Sequence, residues 1–204
     1  MPTCCAASLY AAFEAWAGER RSASAWSRWC GKADGFVAAR TRQADLPAAA
    51  FVLAAGPQSA ALAVTFGLAL PIWPIRGYSL TLPLTGSVRP RVSVTHLGQK
   101  TVHAPLGGQL RAAAFAEIDG GELTIPAARI ETMRAHVEAM YPGLCDPRSP
   151  RTWTGLRPAT PGSCPLIERH RETNLVVNVG HGALGLTLAA GSARVAADLV
   201  EGLL

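Results

Sequence analysis

The feature that most constrains this chain is a glycine-rich turn near its end, Asn178-Val179-Gly180-His181-Gly182-Ala183-Leu184-Gly185. Its core, GHGALG, fits the G-x-G-x-x-G pattern of dinucleotide-binding turns. The flanks suit such a turn: the β-branched run from Asn174 to Gly180 reads as a strand, and Ala183 onward reads as a helix. A Rossmann unit also needs a second parallel strand with an acidic residue at its tip to hold a ribose. Of the 204 residues only 19 follow Gly185, and the helix consumes them. The turn therefore serves something other than a pyrophosphate.

A chain of 204 residues, 49% hydrophobic and 16% charged, buries one good core or two small ones sharing a boundary. The net charge of +5 comes from scattered arginines. Their densest set, Arg20, Arg21, Arg28, Arg40 and Arg42, has no ladder of aromatics beside it. A solvated basic face is expected, not a nucleic-acid surface. Five cysteines (Cys4, Cys5, Cys30, Cys145, Cys164) form no C-x-x-C pair and no metal-ligand spacing with the five histidines, so no metal is expected. That usage fits a reducing compartment, and the N-terminus lacks a basic-then-apolar leader, so a cytoplasmic location is expected. The apolar run Ala48 to Ile72 could span a bilayer on count alone, but Gly56-Pro57-Gln58-Ser59 interrupts it. Strand, turn and helix are expected there, in a soluble protein.

The pattern along the chain is α/β at both ends with an antiparallel insert between. CAASLYAAFEAWAG places Leu9, Phe13 and Trp16 at helical spacing, with Gly18 as C-cap. GFVAARTR reads as a short strand; AAFVLAAG reads as a buried strand followed by the helix PQSAALAVTFG with Pro57 near its first turn. From Arg76 to Glu117 the texture becomes a meander of GYSLTL, RVSVTHL, KTVHAPL and QLRAAAFAEI, punctuated at Gly98-Gln99 and Gly107-Gly108. PAARIETMRAHVEAMYPG reads as an amphipathic helix between prolines, and RTWTGLRPATPGSCPLIE as a strand running into a proline-rich loop. The end pieces have to meet in space, because neither has enough apolar partners alone.

Several segments, in order, resemble the C-terminal half of the FAD-dependent D-amino-acid dehydrogenases, within the D-amino-acid oxidase and glycine oxidase superfamily. They are FVLAAGPQSAALA, LPIWPIRGYSLTLPL, AAFAEI, WTGLRPATPGSCPLIE and NLVVNVGHGALGLTLAAGSA. The resemblance implies an α+β fold: an antiparallel substrate domain (73–146) inserted between remnants of an FAD-binding α/β domain (1–72 and 147–204). It implies FAD as cofactor and oxidation of a D-amino acid by hydride transfer to flavin N5. It also implies a quinone or respiratory acceptor at the inner membrane's cytoplasmic face, reached by peripheral contact at most.

The resemblance also assigns residues. The GHGALG turn presents a helix N-terminus to the pyrimidine end of the flavin, where N–H groups and the helix dipole suit the charge that reduction brings. Backbone groups of Gly182, Ala183, Leu184, Gly185, Leu186 and Thr187 contact the flavin, and Gly180, Gly182 and Gly185 let the chain approach a planar ring. Arg157 in GLRP anchors the substrate carboxylate with its bidentate fork. Tyr78 in RGYS either reaches the substrate with its hydroxyl or packs within its strand. Gly56 either contacts the cofactor near the diphosphate or simply opens a helix. A catalytic base is not required, so His181 is expected to be held by backbone geometry. His96, His103, His136 and His170 share no motif, and nothing activates Cys164.

The chain departs from this family at its start and, in a minor way, in LRAAAFAEI, where alanines stand in place of glycines. The family opens with a strand, a true G-x-G-x-x-G turn and a ribose-binding acid, and no such segment precedes the matched region. RRSASAWSRWCGK (Arg20 to Lys32) does not read as the strand expected there. Two expectations follow. Either the chain is a dehydrogenase, alone or with a second polypeptide supplying the ADP-binding half, or it is a non-catalytic remnant that binds neither FAD nor substrate.

Overall fold

The antiparallel meander begins earlier than its prolines suggest. In a computed structural model, which describes residues 26–32, 35–41, 44–118, 122–171 and 173–204, strand β5 runs from Trp73 to Pro83. Pro74 lies beyond the last pairing with the neighbouring strand β8 (Gln109–Glu117), at Arg76↔Glu117, so its missing N–H costs no bond on that side. The other neighbour, β9 (Arg151–Ala159), pairs along β5 from Trp73↔Ala159 to Thr81↔Arg151. With β6 (Val94–His96) and β7 (Thr101–Leu106) these make a five-stranded antiparallel sheet in the order β6-β7-β8-β5-β9. The expected strand at RVSVTHL shrinks to β6. Its register, Val94↔His103, would set Val92 against Pro105, which has no N–H to donate.

One face of that sheet is the main core. Helix α2 (Ala127–Met140) lays Ile130, Met133 and Val137 on Tyr78, Leu80, Leu82, Leu110, Ala112 and Ala114. The i, i+3, i+7 spacing of those three gives the stripe a sheet-packed helix needs.

A second sheet holds β10 (Leu166–Arg169) antiparallel to β11 (Leu175–Val179), and β11 parallel to β4 (Phe51–Leu53). Turn Gly56–Gln58 and the short helix α1 (Ser59–Val64) follow β4. Helix α3 (Gly185–Glu201) lies against β10 and β11 with Ser192 and Ala196 buried. The stretch Gly182–Glu201 is long and apolar enough to cross a membrane by length and composition. The strand expected to be wholly buried is only half so: Phe51 and Leu53 are buried, but Val52 is 46% exposed. Its partner on β11, Val176, is fully buried, so the sheet loses its cover at the β4 edge.

A third sheet has the order β1-β2-β3, from Trp26–Lys32, Gly35–Thr41 and Asp45–Pro47. Trp26–Lys32 is thus a strand, contrary to the expectation for that segment. It gains its ladder from antiparallel pairing with β2, with two register shifts along it. Asn174 fastens this sheet to β11: its amide exchanges two bonds of 2.8 Å with the backbone of Phe36 and donates a third to the Ala49 carbonyl. The expected helix from Cys5 to Gly18 lies outside the described residues.

Candidate functional site

At the carboxyl end of β11 the chain turns through Gly180 (φ +83) and Gly182 (φ +55) into the turn Gly182–Leu184 and then α3. The carboxyl ends of parallel strands are where open α/β sheets bind ligands. Gly182 is suited to this left-handed conformation, and a Cβ built on it meets nothing within 4 Å. Its backbone faces open space. Helix α3 starts without a side-chain cap and with no acidic residue in its first turn. The positive end of its dipole is therefore not countered by a side chain of its own first turn.

This corner forms one wall of a cleft of about 860 Å³. The opposite wall is the five-stranded sheet, through Ile75, Val102, Ala113, Phe115 and Arg157. Arg157 pairs directly with Ile75, so both face the cleft. Its guanidinium lies across Gly77, where an added Cβ would sit 2.3 Å from Nη2. A side chain at that position would exclude the arginine from its seat. Nη1 donates to the Phe115 carbonyl at 3.0 Å. Burial pushes the guanidinium's pKa below the ordinary arginine value, although an arginine remains charged. No carboxylate pairs with Arg157 among the described residues, and no Asp or Glu lines the cleft. Lys100 and His181 are its other basic residues. A partly buried cation without a counter-ion, in a cleft without acids, is suited to an incoming carboxylate.

The Phe115 carbonyl reaches Arg157 because β8 is bulged there. Arg76 pairs with Glu117 but Tyr78 with Ala114, so the pairing slips, and Phe115 takes φ +69. Of the four non-glycine residues with positive φ among those described, Lys100, Phe115 and Ser163 all line the cleft. Such strain concentrates at functional sites.

Of the two alternatives for Tyr78, strand alternation turns its side chain away from the cleft. Ile75 and Gly77 face the cleft, whereas Arg76, Tyr78 and Leu80 face α2. Tyr78 is 1% exposed, and its hydroxyl donates to Glu117 Oε2 at 2.6 Å. The same carboxylate takes Arg129 at 2.6 Å and Arg76 at 3.4 Å. The Tyr78 bond, followed by the Arg129 charge, holds the Glu117 carboxyl below its usual range.

Of the residues expected at the flavin, Gly182, Ala183 and Leu184 line the cleft; Gly185, Leu186, Thr187 and Gly56 do not. Gly185 packs on His181, and Leu186 and Thr187 are exposed. His181 lines the cleft with Nε2 2.9 Å from Ser192 Oγ, so a hydroxyl of α3 holds its ring in place of the backbone geometry expected. Elsewhere His103 is fully buried against Tyr141 and feels the charges of His136 and His96. Sequence reasoning also missed Phe115 and Lys100. The signal for Phe115 was a parity slip: Leu110, Ala112 and Ala114 alternate, and then Glu117 falls out of step.

Fold and cleft together define a class: an α+β protein that sets an uncapped helix start against an arginine-bearing antiparallel sheet. Residues 13–199 match the family described as FAD dependent oxidoreductase, and the chain belongs to that family. It is 42% identical over 166 residues to a D-amino acid dehydrogenase of Agrobacterium fabrum, covering 81% of this chain and 40% of that one. It is 41% identical over 163 residues to the D-amino acid dehydrogenase of Cereibacter sphaeroides, covering 79% and 37%. The chain thus spans about two fifths of the curated relatives it matches. Among solved structures it resembles glycine oxidase from Geobacillus kaustophilus, with a TM-score of 0.85 at 21% identity over 96% of this chain and 53% of that one. It also resembles iminodiacetate oxidase from a Chelativorans species, with a TM-score of 0.83 at 22% identity over 97% and 54%. At that identity the likeness speaks for the fold.

Proposed function

We propose that this chain forms the substrate side and the isoalloxazine side of an FAD-dependent D-amino-acid dehydrogenase that produces imino acids. The observation that carries the reading is Arg157, a partly buried guanidinium without an acidic partner among the described residues, facing the open backbone of Gly182 across one cleft. Arg157 would take the substrate carboxylate in its fork and so fix which hydrogen of the amino acid faces the opposite wall. Gly182, Ala183 and Leu184 would hold the pyrimidine edge of the flavin, with the start of α3 supplying N–H groups and a positive dipole end. Bound FAD supplies the two-electron oxidant. His181, tied to Ser192, shapes this wall and needs no proton-transfer role. In this reading residues 1–72 and 147–204 build the cofactor side and 73–146 the substrate side, with β9 joining them. The reading keeps a cytoplasmic location, with peripheral contact to a quinone-bearing membrane.

The reading includes a second partner surface. Among the described residues β4 lies at the edge of its sheet, its own Val52 is exposed, and α3 presents Leu186, Leu188 and Val195 outward. Sheet edges and apolar faces of this kind seek cover. A polypeptide carrying the ADP-binding half would supply it and hold the diphosphate. Alone, the chain is expected to bind FAD weakly and to self-associate. Titration with FAD tests this directly: sub-micromolar binding by a monodisperse protein would refute the need for a partner. Adding the N-terminal half of the Agrobacterium fabrum relative should restore yellow colour and dye-linked oxidation of D-alanine. A mixture that forms a stable complex but remains colourless and inactive would instead favour the non-catalytic remnant.

A further inference from the structure

We propose that Phe115 is a positioning residue for Arg157, and that Tyr78 and Arg129 act by clamping its ring from the far side of the sheet. The proposal rests on the reading of Arg157 as carboxylate anchor. Three observations meet at one residue. Phe115 holds φ +69, a conformation that bulky side chains rarely adopt. Its carbonyl is turned into the cleft and accepts Arg157 Nη1 at 3.0 Å. Its ring lies on the α2 side, edge-on to Tyr78 with centroids 5.9 Å apart, and the Arg129 guanidinium stands 4.9 Å from its centroid.

These contacts are themselves pinned. Tyr78 and Arg129 each bond one oxygen of Glu117, two residues beyond Phe115 on β8, at 2.6 Å apiece. Glu117 in turn pairs with Arg76 across the bulge. The carboxylate thereby ties both clamping side chains to the strand that carries the strained residue. A left-handed Phe115 persists when surrounding contacts over-determine it, and this cluster supplies them. Relaxing Phe115 to extended geometry would rotate its carbonyl away from Arg157. The guanidinium would then lose the acceptor that holds it over Gly77. Tyr78 thus bears on substrate binding through the sheet, without touching substrate.

The test uses the full chain, with propionate as carboxylate probe and the Arg157 Nε–Hε resonance as a ligand-free readout. Tyr78→Leu and Arg129→Met should each shift that resonance and weaken propionate by about three- to tenfold. In a Phe115→Gly background, where the left-handed conformation needs no clamp, the same two changes should have no further effect. Arg129→Met covers the case in which Tyr78→Leu fails to fold, because Arg129 is half-exposed and leaves no core cavity. If Arg157→Met abolishes propionate binding while both clamp variants leave the resonance and affinity untouched, the positioning proposal is overturned and the anchor stands. If Arg157→Met leaves propionate binding unchanged, the anchor reading itself has failed.

Discussion

Replacing Gly77 by alanine isolates the seat of Arg157 from the rest of the fold. Gly77 lies mid-strand in β5 without a left-handed φ, so alanine fits its backbone. In strand interiors alanine is favoured over glycine by about 0.5–1 kcal/mol. The new Cβ would stand 2.3 Å from Arg157 Nη2 and 2.6 Å from Cζ, so one of them must move. The guanidinium ends a flexible side chain, whereas the backbone of β5 is laddered on both sides. The arginine gives way. It then loses its bond to the Phe115 carbonyl, and a hydrogen bond involving a charged group contributes about 1.5–3 kcal/mol. Carboxylate affinity should fall about ten- to a hundredfold, with the melting temperature nearly unchanged. Propionate titration followed on the Arg157 Nε–Hε signal, alongside thermal denaturation, reads both quantities. Gly155→Ala is the matched control: its Cβ would meet Trp153 Cη2 at 2.2 Å and displace an exposed indole instead. Unaltered propionate affinity in Gly77→Ala, with Arg157 still bonded to Phe115, would refute the seat.

Three further outcomes are expected. Arg157→Lys, measured in the reconstituted enzyme, should raise KM by an amount equivalent to about 2–4 kcal/mol while leaving flavin content intact, because lysine lacks the bidentate fork; an unchanged KM removes Arg157 from the site. Gly182→Val should destabilise the left-handed turn by about 1–2 kcal/mol and, in the reconstituted enzyme, weaken flavin binding or lower its potential by pushing backbone donors away from the ring. Flavin affinity and potential equal to wild type would make the turn purely structural. Burial, with the charges of His136 and His96, lowers the His103 pKa from 6.5, so the folded state binds this proton less readily than the unfolded chain. That contribution to stability is complete above pH 6.5 and is lost as pH falls from there through the depressed folded value. His103→Leu should flatten this acid limb in melting curves recorded from pH 7.5 to 5, and an unchanged limb would assign it to other groups.

The order of elements was legible because each is driven by local chemistry. The strand into Gly180, the left-handed glycines and the helix after them follow from β-branching and backbone freedom alone. Helix α2 was visible in its apolar spacing and bounding prolines. Arg157 was legible only through the motif around it; its spacing in the chain says nothing of a cleft. Other features were settled by pairing. Trp26–Lys32 is a strand because β2 returns alongside it, and RVSVTHL shortens because its register would meet Pro105. Tyr78 is the instructive case. Its residue type suits a substrate contact, but side-chain direction depends on register parity, and the register beside it slips at the Phe115 bulge. A bulge is a compromise between two strands and the helix packed on them, so no local stretch encodes which face each residue takes. The chain by itself determined which groups are available: one arginine in a proline-rich strand end, and a glycine turn opening a helix. Only the tertiary structure decided that they face each other across one cleft, because strands far apart in sequence meet through hydrogen-bond ladders whose register is fixed by burial on the opposite side.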